Sequence, residues 1–133
     1  MKLLATDMDG TFLRDDKAYN DEFNDLYKQM LKQGIQFVIA SGNQYEALVC
    51  KFDDDIKDDL YYLCENGTKI VYQGKTLYKK ALEKQDAQEV LDILKEDQEC
   101  MLVVSGDKHA YISKSFADKK DFISLFMKNV QFV

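Results

Sequence analysis

The chain opens on a short apolar run, "KLLAT" at residues 2–6, that gives way to acids at once. An apolar run of this length, bounded by polar residues, reads as a buried strand. Phe23, Leu26, Tyr27, Met30 and Leu31 then recur at spacings of three and four, the period of one helical face. Asn20 can cap that helix and Gly34 can end it. "IQFVIA" at 35–40 reads as a second buried strand, and "SGNQYEALVCKF" starts another helical stretch, so the first part runs β-α-β-α. "LYYLCENG" at 60–67 predicts a third strand with a turn at Asn66-Gly67, and "KIVYQGKTLYK" predicts a hairpin about Gln73-Gly74.

Beyond Leu77 the rhythm changes. Gln85 to Glu96 carries Ala87, Val90, Leu91 and Leu94 on one helical face. "CMLVVSGDKHAYIS" reads as a second hairpin, and Asp118 to Met127 as a helix with Phe122, Ile123, Leu125 and Phe126. The expected fold class is α/β: a parallel sheet with crossover helices, followed by an α+β module. The change falls between Tyr78 and Lys84, which divides the chain into 1–80 and 81–133. With no proline and no Gly/Ser-rich linker, composition does not mark the division.

Composition narrows the function classes. A 46% apolar and 32% charged chain of 133 residues has the make-up of a folded soluble domain. A net charge of -6 and a pI near 4.8 lack the basic footprint of a nucleic-acid binder. No apolar stretch approaches the roughly 20 residues needed to span a membrane. The first residues contain no signal-like apolar region, so the expected location is cytoplasmic. Cys50, Cys64 and Cys100 are widely spaced, with no metal-site pairing, and all three are expected to be buried, reduced thiols. An acidic chain attracts a phosphorylated ligand only where something local, such as a cation, offsets the charge.

"TDMDGTFL" at residues 6–13 carries the candidate chemistry. In open α/β sheets, ligands bind beyond the carboxyl ends of strands, where this stretch falls. A carboxylate can attack phosphorus, and Asp7 is the candidate nucleophile. A second carboxyl two residues on, Asp9, can give a proton to a leaving oxygen and later take one from water. Gly10 allows a sharp turn, and Thr11 can bond back to a neighbouring carboxylate. Turns are rich in Asp and Gly for conformational reasons alone, so these residues by themselves leave a plain turn open. At the end of the second strand, "VIASGN" sets Ser41 and Gly42 where a hydroxyl and N–H groups opening a helix would cradle a phosphate; a simple N-cap serine is the alternative.

Taken together, "DMDGTFL", "VIASGNQ" and the "ENGT" turn at 65–68 resemble the haloacid dehalogenase (HAD) superfamily of phosphatases, in its Cof-type sugar-phosphatase subgroup. The resemblance implies a Rossmannoid HAD core followed by the start of an α+β cap. It implies Asp7 as nucleophile, Asp9 as general acid/base, and Ser41 as a ligand of a phosphoryl oxygen; Gly10, Gly42 and Asn43 are expected beside the substrate, as is Asn66, whose turn ends the third strand at the same sheet edge. It implies Mg²⁺ held by the Asp7 carboxylate and the Asp9 main-chain carbonyl, and a small phosphorylated metabolite as substrate. Many relatives have Arg where this chain has Asn43. The superfamily's third motif, a lysine, and its fourth, an acidic pair, normally follow the cap. The expectation is therefore an N-terminal portion of a longer enzyme, or a piece that pairs with a C-terminal fragment or another chain. Its first strand would then have an open edge, and alone it would hydrolyse phosphate esters poorly.

Other residues receive plainer readings. Asp53–Asp55 and Asp58–Asp59 read as a solvated acidic loop rather than a metal shell. His109 is expected exposed on a hairpin, and Tyr61, Tyr62, Phe122 and Phe126 are expected in cores. Two competing function classes are a non-catalytic binding module on the same fold and a phospho-acceptor receiver domain, whose modified Asp would end the third strand, where Glu65 stands.

Overall fold

The computed structural model of the protein describes residues 2–95, 97, 99–124 and 126–133. The chain divides into two compact units, Met1–Lys79 and Lys80–Val133.

In the first unit, strands β1 (Lys2–Asp7), β2 (Ile35–Ala40), β3 (Tyr61–Cys64), β4 (Lys69–Tyr72) and β5 (Lys75–Lys79) form one sheet in that order. β1, β2 and β3 run parallel, while β4 and β5 are antiparallel, so the sheet is mixed and its parallel part covers three strands. The parallel crossovers carry helix α1 (Phe23–Lys32) and the single-turn helix α2 (Tyr45–Val49). The Asn20 side chain accepts the Glu22 N–H at 2.9 Å, a turn that leads into α1. Gly34, at φ 70°, ends the helix by donating its N–H to the Leu31 carbonyl. Gln73 and Gly74 both have positive φ, 51° and 68°, as a two-residue hairpin requires.

The core lies where the apolar face of α1 meets β2 and the loop after β1. Phe23, Tyr27 and Phe37 are buried there, and Phe12 packs edge-on to Phe23 at 4.7 Å between ring centroids. Ile39, Leu48, Leu60, Tyr62, Cys64 and Val71 continue the core across β2–β4. The loop after α2 is tied to α1: Tyr19 and Asn24 donate to Asp53, Lys28 pairs with Asp55, and the Tyr27 hydroxyl donates to the Asp59 carbonyl at 2.7 Å. The acidic run is thus bound to the helix and to its own Lys57, which pairs with Asp54.

β1 departs from the buried strand that its apolar residues predict. It is the terminal strand and pairs only with β2, which leaves Leu3 at 63% and Leu4 at 46% exposure. Burial depends on what covers a strand, and among the described residues nothing covers this one.

In the second unit, helix α3 (Lys84–Leu94) precedes a three-stranded sheet of β6 (Val103–Ser105), β7 (Ala110–Ile112) and β8 (Val130–Phe132), in that order. β6 and β7 form the expected hairpin, while β8 adds in parallel to β7, a strand that three residues of sequence do not announce. Glu96, assigned to the first of the two predicted helices here, and Leu125, assigned to the second, lie outside the described residues. In place of a helix over 118–127 the chain forms a 3₁₀ segment, Lys114–Lys119, and a four-residue helix α4, Lys120–Ile123. Phe122 and Phe126 pack on each other with centroids 5.5 Å apart, but at 56% and 40% exposure they are not core. Only Ile123 on this short helix is buried, because one turn offers a single inward position. His109 is half-buried beside the Tyr111 ring rather than exposed. Tyr62 is core, whereas Tyr61 is half-buried and stacks on its cross-strand neighbour Tyr72 at 4.1 Å.

Cys64 alone of the three thiols is buried, and burial pushes it up to about 12 from an ordinary 9.0. Cys50 and Cys100 are exposed, contrary to expectation: Cys50 stands just past the buried Ala47 and Leu48 of α2, and Cys100 in the connection before β6.

Candidate active site

The parallel register brings three strand ends level. Asp7 pairs with Ala40 across β1–β2, and Ala40 with Leu63 across β2–β3. The residues that follow, Met8–Thr11, Ser41–Asn43 and Cys64–Gly67, therefore share the carboxyl edge of the sheet, the edge at which α/β proteins bind ligands.

The first segment turns on a buried anchor. Met8 is fully buried, and its carbonyl accepts the Leu13 N–H at 2.8 Å, while the acids on either side of it are exposed. Gly10, at φ 74°, supplies the left-handed conformation that reverses the chain between Asp9 and Thr11. The Thr11 hydroxyl donates to Asp7 Oδ2 at 3.4 Å. Asp9 is held on both oxygens: Lys17 Nζ lies 3.0 Å from Oδ1, and Asn43 Nδ2 donates to Oδ2 at 3.3 Å.

The second segment is a turn rather than a helix start. Ser41 Oγ accepts the Asn43 N–H at 3.2 Å, but α2 does not begin until Tyr45 and is only five residues long. The reading of Ser41 and Gly42 as opening a helix, or of Ser41 as its N-cap, is thus corrected: the cap position is Gln44. "SGNQ" closes a local hydroxyl-to-amide turn at Ser41–Asn43, and the helix starts only after it.

The third segment braces the second. Ser41 N–H bonds to Leu63 O at 2.9 Å, Glu65 N–H to Asn43 O at 3.1 Å, and Asn66 N–H to Ser41 O at 3.2 Å. Glu65, Asn66 and Gly67 are three successive left-handed residues, at φ 52°, 57° and 89°. They lay the Asn66 side chain over Gly42, where a Cβ would stand 3.0 Å from Asn66 Oδ1. A side chain at position 42 would press on Asn66.

The structure therefore brings Asp7, Asp9, Gly10, Ser41, Gly42, Asn43 and Asn66 to one edge, with direct contacts from Asn43 to Asp9 and from Asn66 to Gly42 and Ser41. Sequence reasoning passed over Lys17. In "RDDKAYN" it reads as one charge in a solvated loop, and only its contact with Asp9 sets it apart. The Asp7 carboxylate and the Asp9 main-chain carbonyl are hard oxygen donors of the kind Mg²⁺ takes while keeping several waters. Among the described residues no group of three or more His, Cys, Asp or Glu forms a fuller metal shell. No helix among them is long and apolar enough to cross a membrane.

Comparison with known proteins agrees with this geometry. The sequence profile of the haloacid dehalogenase-like hydrolases matches residues 4–132. The Escherichia coli K12 protein YbjI, a 5-amino-6-(5-phospho-D-ribitylamino)uracil phosphatase, is 38% identical over 135 aligned positions that cover 100% of this chain and 49% of YbjI. A crystal structure from Streptococcus mutans UA159 superposes with a TM-score of 0.91 at 30% identity, covering 99% of this chain and 50% of that one. A subclass IIB sugar phosphatase of the same superfamily shares the fold, with a TM-score of 0.74 at 15% identity over 100% of this chain and 52% of its own. The chain spans about half the length of the relatives it matches.

Proposed function

Since the chain belongs to the haloacid dehalogenase-like hydrolase family, we propose that it forms the nucleophile-bearing part of a Mg²⁺-dependent phosphatase that cleaves a small phosphate monoester through an aspartyl-phosphate at Asp7. The observation that carries this reading is the pairing at the carboxyl end of β1: Asp7, oriented by Thr11, two residues from Asp9, whose oxygens meet Lys17 and Asn43. Residues 1–80 are read as the core and 81–133 as part of a cap.

In the first half-reaction an Asp7 carboxylate oxygen attacks phosphorus. The ester P–O bond breaks as the new O–P bond forms, and the Asp9 carboxyl delivers its proton to the departing oxygen. In the second half, water attacks the same phosphorus and gives a proton to Asp9, and the Asp7–phosphorus bond breaks to release phosphate and regenerate both acids. The Ser41 hydroxyl and the Gly42 N–H would hold phosphoryl oxygens, since the Ser41 and Asn43 N–H groups are bonded to the Leu63 carbonyl and to the Ser41 hydroxyl. Mg²⁺, held by the Asp7 carboxylate and the Asp9 carbonyl, would supply positive charge against the repulsion between a carboxylate and a phosphate dianion. The YbjI substrate is a phosphorylated sugar alcohol on a pyrimidine, which favours a phosphorylated polyol or sugar as the substrate class here.

The test is acid-quench trapping with radiolabelled phosphate ester and Mg²⁺. Label recovered on Asp7 as a base-labile acyl phosphate, and lost in Asp7→Asn, is the expected result. Label recovered on another residue would defeat the proposal, and label on Glu65 would favour a receiver-type module.

A further inference from the structure

The Asp9 carboxylate is gripped from two chain segments, and the two contacts differ in kind. Asn43 comes from the β2 end, as part of the bonded turn that Glu65 and Asn66 brace. Lys17 comes from the loop after β1, where Lys17 N–H bonds to Arg14 O at 2.9 Å and Ala18 O accepts the Arg14 N–H at 2.9 Å. Lys17 sits at φ 64°, a left-handed backbone that a lysine adopts only at a cost. Its Nζ nevertheless reaches Asp9 Oδ1 at 3.0 Å with side-chain exposures of 60% and 42%. Ion pairs this exposed add little to folding, so stability does not account for a strained residue aimed at this carboxylate. Arg14, three residues earlier, pairs with Asp16 instead, so the loop sorts its cations and directs only Lys17 to the site.

We propose that Lys17 is a positioning residue for Asp9: with Asn43 on the other oxygen, it fixes the plane of the carboxyl group that serves the leaving oxygen. The proposal rests on the phosphatase reading for its chemistry, but the clamp itself is a statement about geometry. A carboxyl group free to rotate about its last bond would spend less time aligned with the ester oxygen. The effect should therefore grow with how badly the leaving group needs a proton.

Two measurements on the full chain separate the possibilities. In the first, turnover of 4-nitrophenyl phosphate, whose leaving group departs without a proton, is compared with turnover of ribitol 5-phosphate, an alkyl ester that needs one. Lys17→Met should lower kcat on the alkyl ester about tenfold more than on the aryl ester, a part of the 10²–10⁴ that general acid catalysis supplies, with KM unchanged. Lys17→Arg should restore the ratio. Equal losses on both esters, or none, would overturn the proposal. In the second, the side-chain ammonium of Lys17 is followed by ¹⁵N NMR: a slowed-exchange signal that disappears in Asp9→Asn supports the clamp, and a freely exchanging Lys17 in the unaltered protein overturns it. Where the unaltered chain turns over neither ester, the NMR result alone decides the clamp.

Discussion

The two units bury their apolar residues to very different extents. In the first, the rings of Phe12, Tyr19, Phe23, Tyr27, Phe37 and Phe52 form one connected cluster under the sheet. In the second, the buried apolar residues among those described are Ala110, Ile112 and Ile123. There α3 keeps Val90, Leu91 and Ile93 exposed, and a cleft of about 890 Å³ lies between it and the sheet, lined by residues such as Leu94, Leu102 and Phe116. Asp7, Asp9 and Ser41 hang from the densely packed unit, and the nucleophile proposed for Asp7 would need such a base to be held to a fraction of an ångström. The second unit holds its shape with a three-stranded ladder and a helix whose apolar side is bare.

The comparison can be broken at its strongest point. Phe37→Ala removes a buried ring that touches Phe12, Phe23 and Tyr27. It should lower stability by about 3–5 kcal/mol in urea unfolding, and a loss below about 1 kcal/mol would show the aromatic cluster to be loosely packed. Gly42→Ala tests whether the packing reaches the site itself. Its new Cβ meets Asn66 Oδ1 at 3.0 Å, at the tip of an exposed side chain, so no more than about 1 kcal/mol should be lost, and Asn66→Gly in the same chain should recover most of it. Thermal melts of the four proteins read this as a double-mutant cycle, and additive losses would mean the two loops do not bear on each other.

Alkaline pH probes the same unit more gently. The Cys64 thiol ionises near 9.0 when free and near about 12 when folded, because burial disfavours its charge. Burial likewise raises the phenols of Tyr62 and Tyr27. The folded state therefore holds protons that the unfolded chain gives up, so this stabilisation is complete below about pH 9 and declines as pH rises toward 12. The melting temperature should fall through that window, and Cys64→Ala should make the fall shallower. The smallest effect belongs to the second unit: Ile93→Ser, at a side chain 76% exposed, should change stability by no more than about 0.5 kcal/mol. A larger loss would show that something covers α3 in solution.

Periodicity carried much of this architecture. α1, β2 and both hairpins follow from spacings and turn residues, because each buries or reverses the chain by local rules. The acids of the site were equally plain, since Asp7 and Asp9 stand beside a glycine at a strand end. What escaped depends on neighbours distant in sequence. Leu3 and Leu4 look like core and are not, since an edge strand lacks a covering layer. Cys50 and Cys100 face solvent between regular elements, where no periodicity marks burial, and β8 is too short to carry a pattern. Asn43 and Lys17 disclose their shared target only when the β1 and β2 ends are set side by side.

The turn at Glu65–Gly67 has a consequence for any attempt to harden this protein. A glutamate at φ 52° is the residue there that the backbone least tolerates, and glycine at position 65 would ease the turn while loosening the seat of one loop upon the next.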